Sequence, residues 1–504
     1  MVDLTPYSSV APLMGPLDSW LGADDAERLM AYQVYEGMYR NIPDVFKLVQ
    51  RGDEQNPIYL PSAKTIIEAK NRYLAKDWNY VIDPKLGTDA DRATLNLALD
   101  TLFKREIIRT KFATQKRWGM IRGDQVWHIV GDIEKEATRR LSVYEVDPAS
   151  YFPIFDPWNP DKILGCHLVD PVLNEAGKTV IKRQTYRKTD TGTITYELSW
   201  WETGAWDDRD DTIVLKPVQS KDIPEGDFND PVPEEELDPR ITAIPVYHIK
   251  NNRITGQPFG VSELAGLETL IGGINQTISD EDLTLALQGL GLYWTNSGPP
   301  EDDDGNETNW KFGPGWVVEI DEDSTFGRVG GVNSIQPMLD HVGKLEQAMR
   351  ESSGVPDIAI GSVDVQTAES GIALAFKMGP ILSGNAEKEG EMLSITDQML
   401  YDIVTMWLPA FEQVDTPARA SSIVGDPLPV NRKAILDEII LMLTNGVISI
   451  AYAQAVISER LGYEFPAEML AQIVDEQGKL AAARNIDPFA SRVAADLEDQ
   501  DRGL

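Results

Sequence analysis

Cysteine is all but missing: the 504 residues contain one, Cys166. That excludes an internal disulfide framework and any CxxC metal site, and it predicts synthesis in a reducing, intracellular setting. Histidine is scarce as well, with only His128, His167, His248 and His341. Cys166 and His167 are the one adjacent pair of metal-type ligands, and strand alternation would put them on opposite faces, so no zinc site is expected. No apolar run reaches the ~18 residues of a membrane span, and the opening MVDLTPYSSV has no basic, apolar leader. No membrane role is therefore expected. Basic residues are in short supply: 46 Lys and Arg stand against 81 Asp and Glu, a net charge of -35. A protein that grips nucleic acid needs clustered cations to displace counterions. As a whole this chain would repel DNA, so either DNA plays no part or it must pass without sticking. HExxH, GxSxG, Walker A and a GxGxxG in a βαβ setting are all absent. Neither a catalytic centre nor a cofactor is expected, and the chain does not read as an enzyme.

What is present begins with helices. Residues 24–50 space Leu29, Tyr32, Val34, Met38, Ile42 and Phe46 at near-helical intervals behind Asp25 and Glu27. Further helices are predicted over 62–74 and from 89 to about 114. Lys104, Arg105, Arg109, Lys111, Lys116, Arg117 and Arg122 form the only dense basic run. In so acidic a chain they are expected to pair with acid elsewhere, as a solvated helix face. From 124 to about 202 the period changes to two, with strands predicted at 140–144, 162–169, 179–186 and 193–201 in a meander. Gly177-Lys178-Thr179 resembles the end of a phosphate loop, but Val172 stands where that loop needs Gly, so a hairpin turn is expected. Residues 205–239 form an acidic, Pro-rich linker too polar to build a core. A short strand at 244–249 follows.

The stretch 260–292 carries Leu264, Leu267, Ile271, Ile274, Ile278, Leu285 and Leu292 in steps of three and four, broken by Glu281 and Gln288. This is the seam of a helix roughly 45 Å long. Gly266, Gly272, Gly273 and Gly289 lie within it, which predicts close packing against other helices. Turn residues at 296–309 and a strand candidate at 315–320 follow. Pro337 then opens a second seam, Met338, Val342, Leu345 and Met349. Two rods thus flank an inserted module of about 45 residues. Residues 354–371 break the helical pattern. A long segment over 372–408 resumes it, with a kink expected at Gly379-Pro380 and a stop at Pro409. Its buried face is marked by Met392, Ile395, Met399, Ile403 and Met406. Helices near 432–444, 449–461 and 467–482 precede an acidic end. The acidic 301–307 could hold a hard cation, but its spacing misses the EF-hand pattern, so it is read as a solvated loop.

The order of these parts resembles the portal proteins of tailed bacteriophages, of the siphophage-like type. The likeness rests on Phe259-Gly260-Val261-Ser262-Glu263-Leu264 opening a long helix and on Ser353-Gly354-Val355-Pro356 closing the second. It rests also on Glu369-Ser370-Gly371-Ile372-Ala373-Leu374-Ala375-Phe376-Lys377, and on LDEIILMLTNG over 436–446 followed by Ile448-Ser449. It spans about 25–482. The resemblance implies an α+β portal fold: an N-terminal β-rich and helical wing (1–250), stem helices (251–292 and 336–353) and a small α/β clip (293–335). A tunnel loop (354–370), a kinked helix crossing the wing (371–412) and a helical C-terminal crown with an acidic tail (413–504) complete it.

The same resemblance implies a ring, typically dodecameric, at one vertex of the virion, made in the host cytoplasm. Double-stranded DNA would be packaged and ejected through its channel. The terminase large subunit, a head-tail adaptor, and the major capsid protein with its scaffold would be its partners. Asp357, Ile360, Ser362, Asp364 and Gln366 would face DNA from the tunnel loop. Lys344 and Arg350 would line the stem channel, and replacing both with Glu should impair packaging while leaving rings intact. Glu301, Asp302, Asp303, Asp304 and Trp310 would dock partners at the clip. A structural ring or shell component without DNA passage is the alternative reading. A metal-dependent hydrolase using scattered carboxylates is a second, without a candidate residue.

Overall fold

The computed structural model describes residues 23–51, 55–156, 158–207, 212–219, 222–224, 229–290, 292–299, 323–329, 336–361, 376–427, 432–445 and 447–461, with 469 and 472. The fold is mixed α+β. The chain divides into two compact units at Pro427/Leu428.

The first unit opens with α1 (Ala23–Tyr39), which buries Leu29, Tyr32 and Met38. The helix α2 (Ser62–Asn71) and the short strand β1 (Asn79–Ile82) come next. One long helix was expected over 89–114, but two are found, α3 (Asp89–Arg105) and α4 (Ile108–Arg122). Thr88 starts α3 with a capping box closed by Asp91. The break falls at Ile107, whose φ of +48° is unusual for a β-branched residue. Burial holds it there: Leu102 and Phe103 before the break and Ile108 and Phe112 after it are all in the core. Trp78 stacks on Phe112 at 4.2 Å and on Phe103 at 5.7 Å.

The strands β2 (Asp124–Gly131) and β3 (Leu141–Val146) join β10 (Val246–Lys250) in an antiparallel sheet of order β10-β2-β3. Between them in sequence run β4 (Tyr151–Asp156), β5 (Asn159–Leu173), β6 (Thr179–Lys188) and β7 (Ile194–Asp207). These form the expected meander, and Gly177, at φ +72°, makes a hairpin turn rather than a phosphate loop. The acidic stretch 205–239 is a correction. It contains β8 (Thr212–Pro217) and β9 (Val232–Glu236), both paired with β7. An edge strand needs backbone partners more than apolar side chains, and exposed Glu234, Glu235 and Glu236 keep that edge from pairing further. The two sheets share one core, built from Val126, Val246, Tyr151, Cys166, Leu168, Tyr186 and Ile194.

Beyond the sheets lie α5 (Glu268–Leu290), the paired strands β11 (Leu292–Thr295) and β12 (Phe326–Val329), and α6 (Gln336–Ser353). Phe376 and Lys377 are helical, Met378 is a turn, and the helix α7 (Gly379–Asp402) then begins with Pro380 in its first turn, so the helical path breaks next to the expected Gly379-Pro380 kink. Pro409 does not stop the segment. A π-helix, Ile403–Glu412, carries the proline in its interior, because that wider turn does not require the ordinary i to i−4 bond of every residue. The unit closes with β13 (Ala420–Ile423) pairing antiparallel with β1.

The second unit, taken by itself, contains α8 (Arg432–Thr444) and α9 (Ile450–Leu461), which pack on each other near their predicted bounds. The helix predicted at 467–482 falls almost wholly outside the described residues. No helix among the described residues is long and apolar enough to cross a membrane.

Candidate functional site

The element that the sequence marks out is a stalk: α5, the β11–β12 pair and α6, with α5 and α6 packed together. Its first rod is shorter than predicted. Twenty-three residues give about 34 Å. Residues 260–267 are not helical because other backbone occupies their hydrogen bonds. Glu263 N donates to Met120 O at 2.9 Å, Val261 N donates to Asn251 O at 2.7 Å, and Gly266 is left-handed at φ +83°. Gly260 makes this approach possible, since a Cβ there would lie 2.1 Å from Gly123 O.

Of the predicted seam, Leu264, Leu267, Ile271 and Ile274 are fully buried, though the first two precede the helix. Ile278, Met338, Val342 and Leu345 are half-buried and Met349 is buried. Leu285 and Leu339 are exposed. Another face of α5 is polar yet buried. Asn275 Oδ1 accepts from Leu60 N at 3.0 Å and Ser279 Oγ from Ile58 N at 2.8 Å. Asp280 takes Arg51 and Gln55, each at 2.9 Å, and Gln276 exchanges bonds with Val49. An extended strap of the N-terminal region is thus held on the rod by side chains in place of a second strand.

Two buried polar hubs fix the root of the stalk. Asp124, with no exposure, accepts from Tyr32 Oη at 2.5 Å and Gly260 N at 2.8 Å, and it bonds His248 Nε2 at 2.6 Å. Burial, then the Asp124 charge, pushes the Tyr32 hydroxyl far up, so it stays protonated and donates. Beside this hub Glu263 accepts from Lys70 Nζ at 2.5 Å, from Lys388, and from Asn251 and Asn252 at 3.0 and 2.8 Å. Burial alone would raise that carboxyl, but the two ammonium groups outweigh it and hold it at about 2. Glu263 therefore ties α2, the stalk root and α7 together. Neither hub was visible in the sequence, because its members come from distant segments with no shared motif.

Most of the basic run pairs with acid as expected, but Arg109 donates to Asn79 Oδ1 and Lys116 to Leu74 O, and the run is less exposed than expected. Lys104 pairs with Asp100, Arg105 with Glu106 and Glu412, Arg117 with Glu68, and Arg122 with Glu36 and Asp147. Arg122 and Lys116 are largely buried, and burial, with Arg117 nearby, pulls Lys116 down to about 8. This run does not form an open cationic face.

Of the predicted DNA-facing residues, Asp357 is not a free tip. Its carboxylate pairs with Arg350 Nε at 2.8 Å, and Arg350 also reaches Glu346 at 3.7 Å. Two residues assigned to different parts thus meet at the base of α6. Replacing Arg350 by Glu would face two carboxylates with a third, so a variant changed at both Lys344 and Arg350 would also disturb the fold locally. Lys344 is exposed. Ile360 is exposed at the end of a short 3₁₀ turn, Asp357–Ile360. Ser362, Asp364 and Gln366, the acidic cluster Glu301, Asp302, Asp303 and Asp304, Trp310, and the strand predicted at 315–320 lie outside the described residues. Comparison with protein-family models and with curated proteins finds no match to this chain.

Proposed function

We propose that the chain is the repeating subunit of a ring-shaped conduit for double-stranded DNA at a capsid vertex, in the manner of the portal proteins that its sequence resembles. The stalk carries the reading. Two rods with apolar seams lie side by side, and four seam residues, Ile278, Met338, Val342 and Leu345, are only half covered by their own chain. Gly273 on α5 and Gly343 on α6 have nothing within 4 Å of where a Cβ would stand. These glycines weaken both helices without serving a contact in the protomer, a cost that neighbouring copies would justify. The acidic balance and the internally paired basic run suit a bore that DNA crosses without adhesion. The terminase large subunit and later the head-tail adaptor would dock at the head of the stalk. The capsid protein and scaffold would surround the body.

Native mass measurement of the purified chain, with negative-stain imaging, tests this reading. The expected result is an annular particle of about twelve copies with an open axis. A chain that stays monomeric at every concentration and with scaffold or shell protein present refutes it.

A further inference from the structure

A cavity of about 540 Å³ lies between the two sheets of the first unit and the π-helix Ile403–Glu412. That volume is in the range of small-molecule sites. Its walls are unusually aromatic: Tyr144, Tyr186, Tyr196, Trp407 and Phe411 all line it. Trp407 and Phe411 come from the π-helix and stack at 5.5 Å with their planes 15° apart. Phe411 lies directly against the backbone of Gly131, where a Cβ would fall 2.3 Å from its ring. A π-turn is a rare conformation that persists only where its surroundings hold it, and such turns are frequent at functional sites. Here it delivers two rings to one cavity.

The charges of the cavity favour a positive guest. Glu145 on β3 and Glu235 on β9 line it from different sheets, and neither makes a hydrogen bond or close ion pair among the described residues, though the Lys111 charge acts on Glu145. Burial pushes the Asp170 carboxyl up, a penalty that an entering cation would relieve. The lining lysine, Lys182, is engaged: its ammonium donates to Asn229 at 2.9 Å and it stands cross-strand from Asp170. His128 is held neutral, burial and then Lys182 pulling it down to about 3, and it bonds Tyr186 Oη at 2.8 Å. Aromatic faces carry negative quadrupole and attract ammonium groups more strongly where water is excluded.

We propose that this cavity binds a small organic cation, an ammonium on an apolar stem, seated against Trp407 and Phe411 with Glu145 and Glu235 at its mouth. The site stands whether or not the chain forms a ring.

Calorimetric titration of the full chain at pH 7 with phenethylammonium, 2-phenylethanol and phenylacetate tests it. Phenethylammonium should bind about ten-fold or more tightly than the neutral alcohol, and phenylacetate should not bind. The double variant Glu145→Gln, Glu235→Gln, changed only at exposed positions, should lose most of that preference while still binding the alcohol. Trp407→Leu should weaken both guests; if it fails to fold, the glutamine pair decides alone. Equal affinity for amine and alcohol, no binding of the amine, or an unchanged preference in the glutamine pair overturns the proposal.

Discussion

Replacing Glu263 by Gln is the most informative single perturbation of the stalk root. The change keeps the shape and removes one negative charge facing Lys70 and Lys388. Its carboxyl sits at about 2 in the fold against an ordinary 4.5. At 1.36 kcal/mol per pKa unit, that difference corresponds to about 3 kcal/mol. Removing one member of a buried ion cluster costs about 3–5 kcal/mol, because the charges left behind are uncompensated. The two routes agree on roughly 3 kcal/mol. The same burial pulls Lys388 below its ordinary value despite Glu263, which offsets part of the gain and places the expected loss at the lower end.

Urea unfolding followed by circular dichroism reads this loss. With a slope of about 3 kcal/mol/M, the midpoint should fall by about 1 M. The pH dependence provides a second reading. Because the folded carboxyl titrates below the unfolded one, the unfolded chain takes up more protons as the solution acidifies. The stabilisation is complete above about pH 4.5 and is lost as pH falls through about 2. The Gln variant should lack that contribution across the window. A midpoint within about 0.2 M of the parent at pH 7, where the parent's advantage should be full, refutes the assignment of Glu263 as the tie between α2, the stalk root and α7.

Other consequences are equally direct. Gly260→Ala sets a methyl group 2.1 Å from Gly123 O and 2.5 Å from Asn251 O; a loss of about 4 kcal/mol or failure to fold is expected, read by soluble yield and thermal melting. Asp124→Asn keeps the size but removes the charge that gathers Tyr32, His248 and Gly260 N, and should cost about 2–3 kcal/mol in the same urea assay. Cys166 is buried with its thiol pushed well up by burial, so a thiol reagent at pH 8 should modify it only after denaturant is added. If the chain forms the proposed DNA conduit, Lys344→Glu, at an exposed position, should leave particle mass unchanged and alter DNA retention in packaged heads; unchanged retention removes Lys344 from the proposed channel lining.

Much of the secondary structure followed from local pattern alone. The meander could be read because its strands alternate and Gly177 and Gly192 supply the left-handed turns. The helices at 432–444 and 450–461 follow from their periodicity. So does the second rod, where Met338, Val342, Leu345 and Met349 recur on one face. Composition by itself also excluded internal disulfides and set the acidic charge. Local pattern could not supply anything decided by distant partners. The break at Ile107 has no Gly or Pro to announce it and exists because two apolar faces must reach the same core. The start of α5 at Glu268 is set by backbone from Met120 and Asn251 occupying the preceding residues. Polar Asn275 and Ser279 gave no signal in the sequence, and their role emerges only where the strap at 58–60 bonds to them. Arg350 and Asp357 became partners only when a turn folded one onto the other. Periodicity records which side of an element avoids water; which group satisfies a buried charge or backbone amide depends on three-dimensional proximity, and only the tertiary structure settles that.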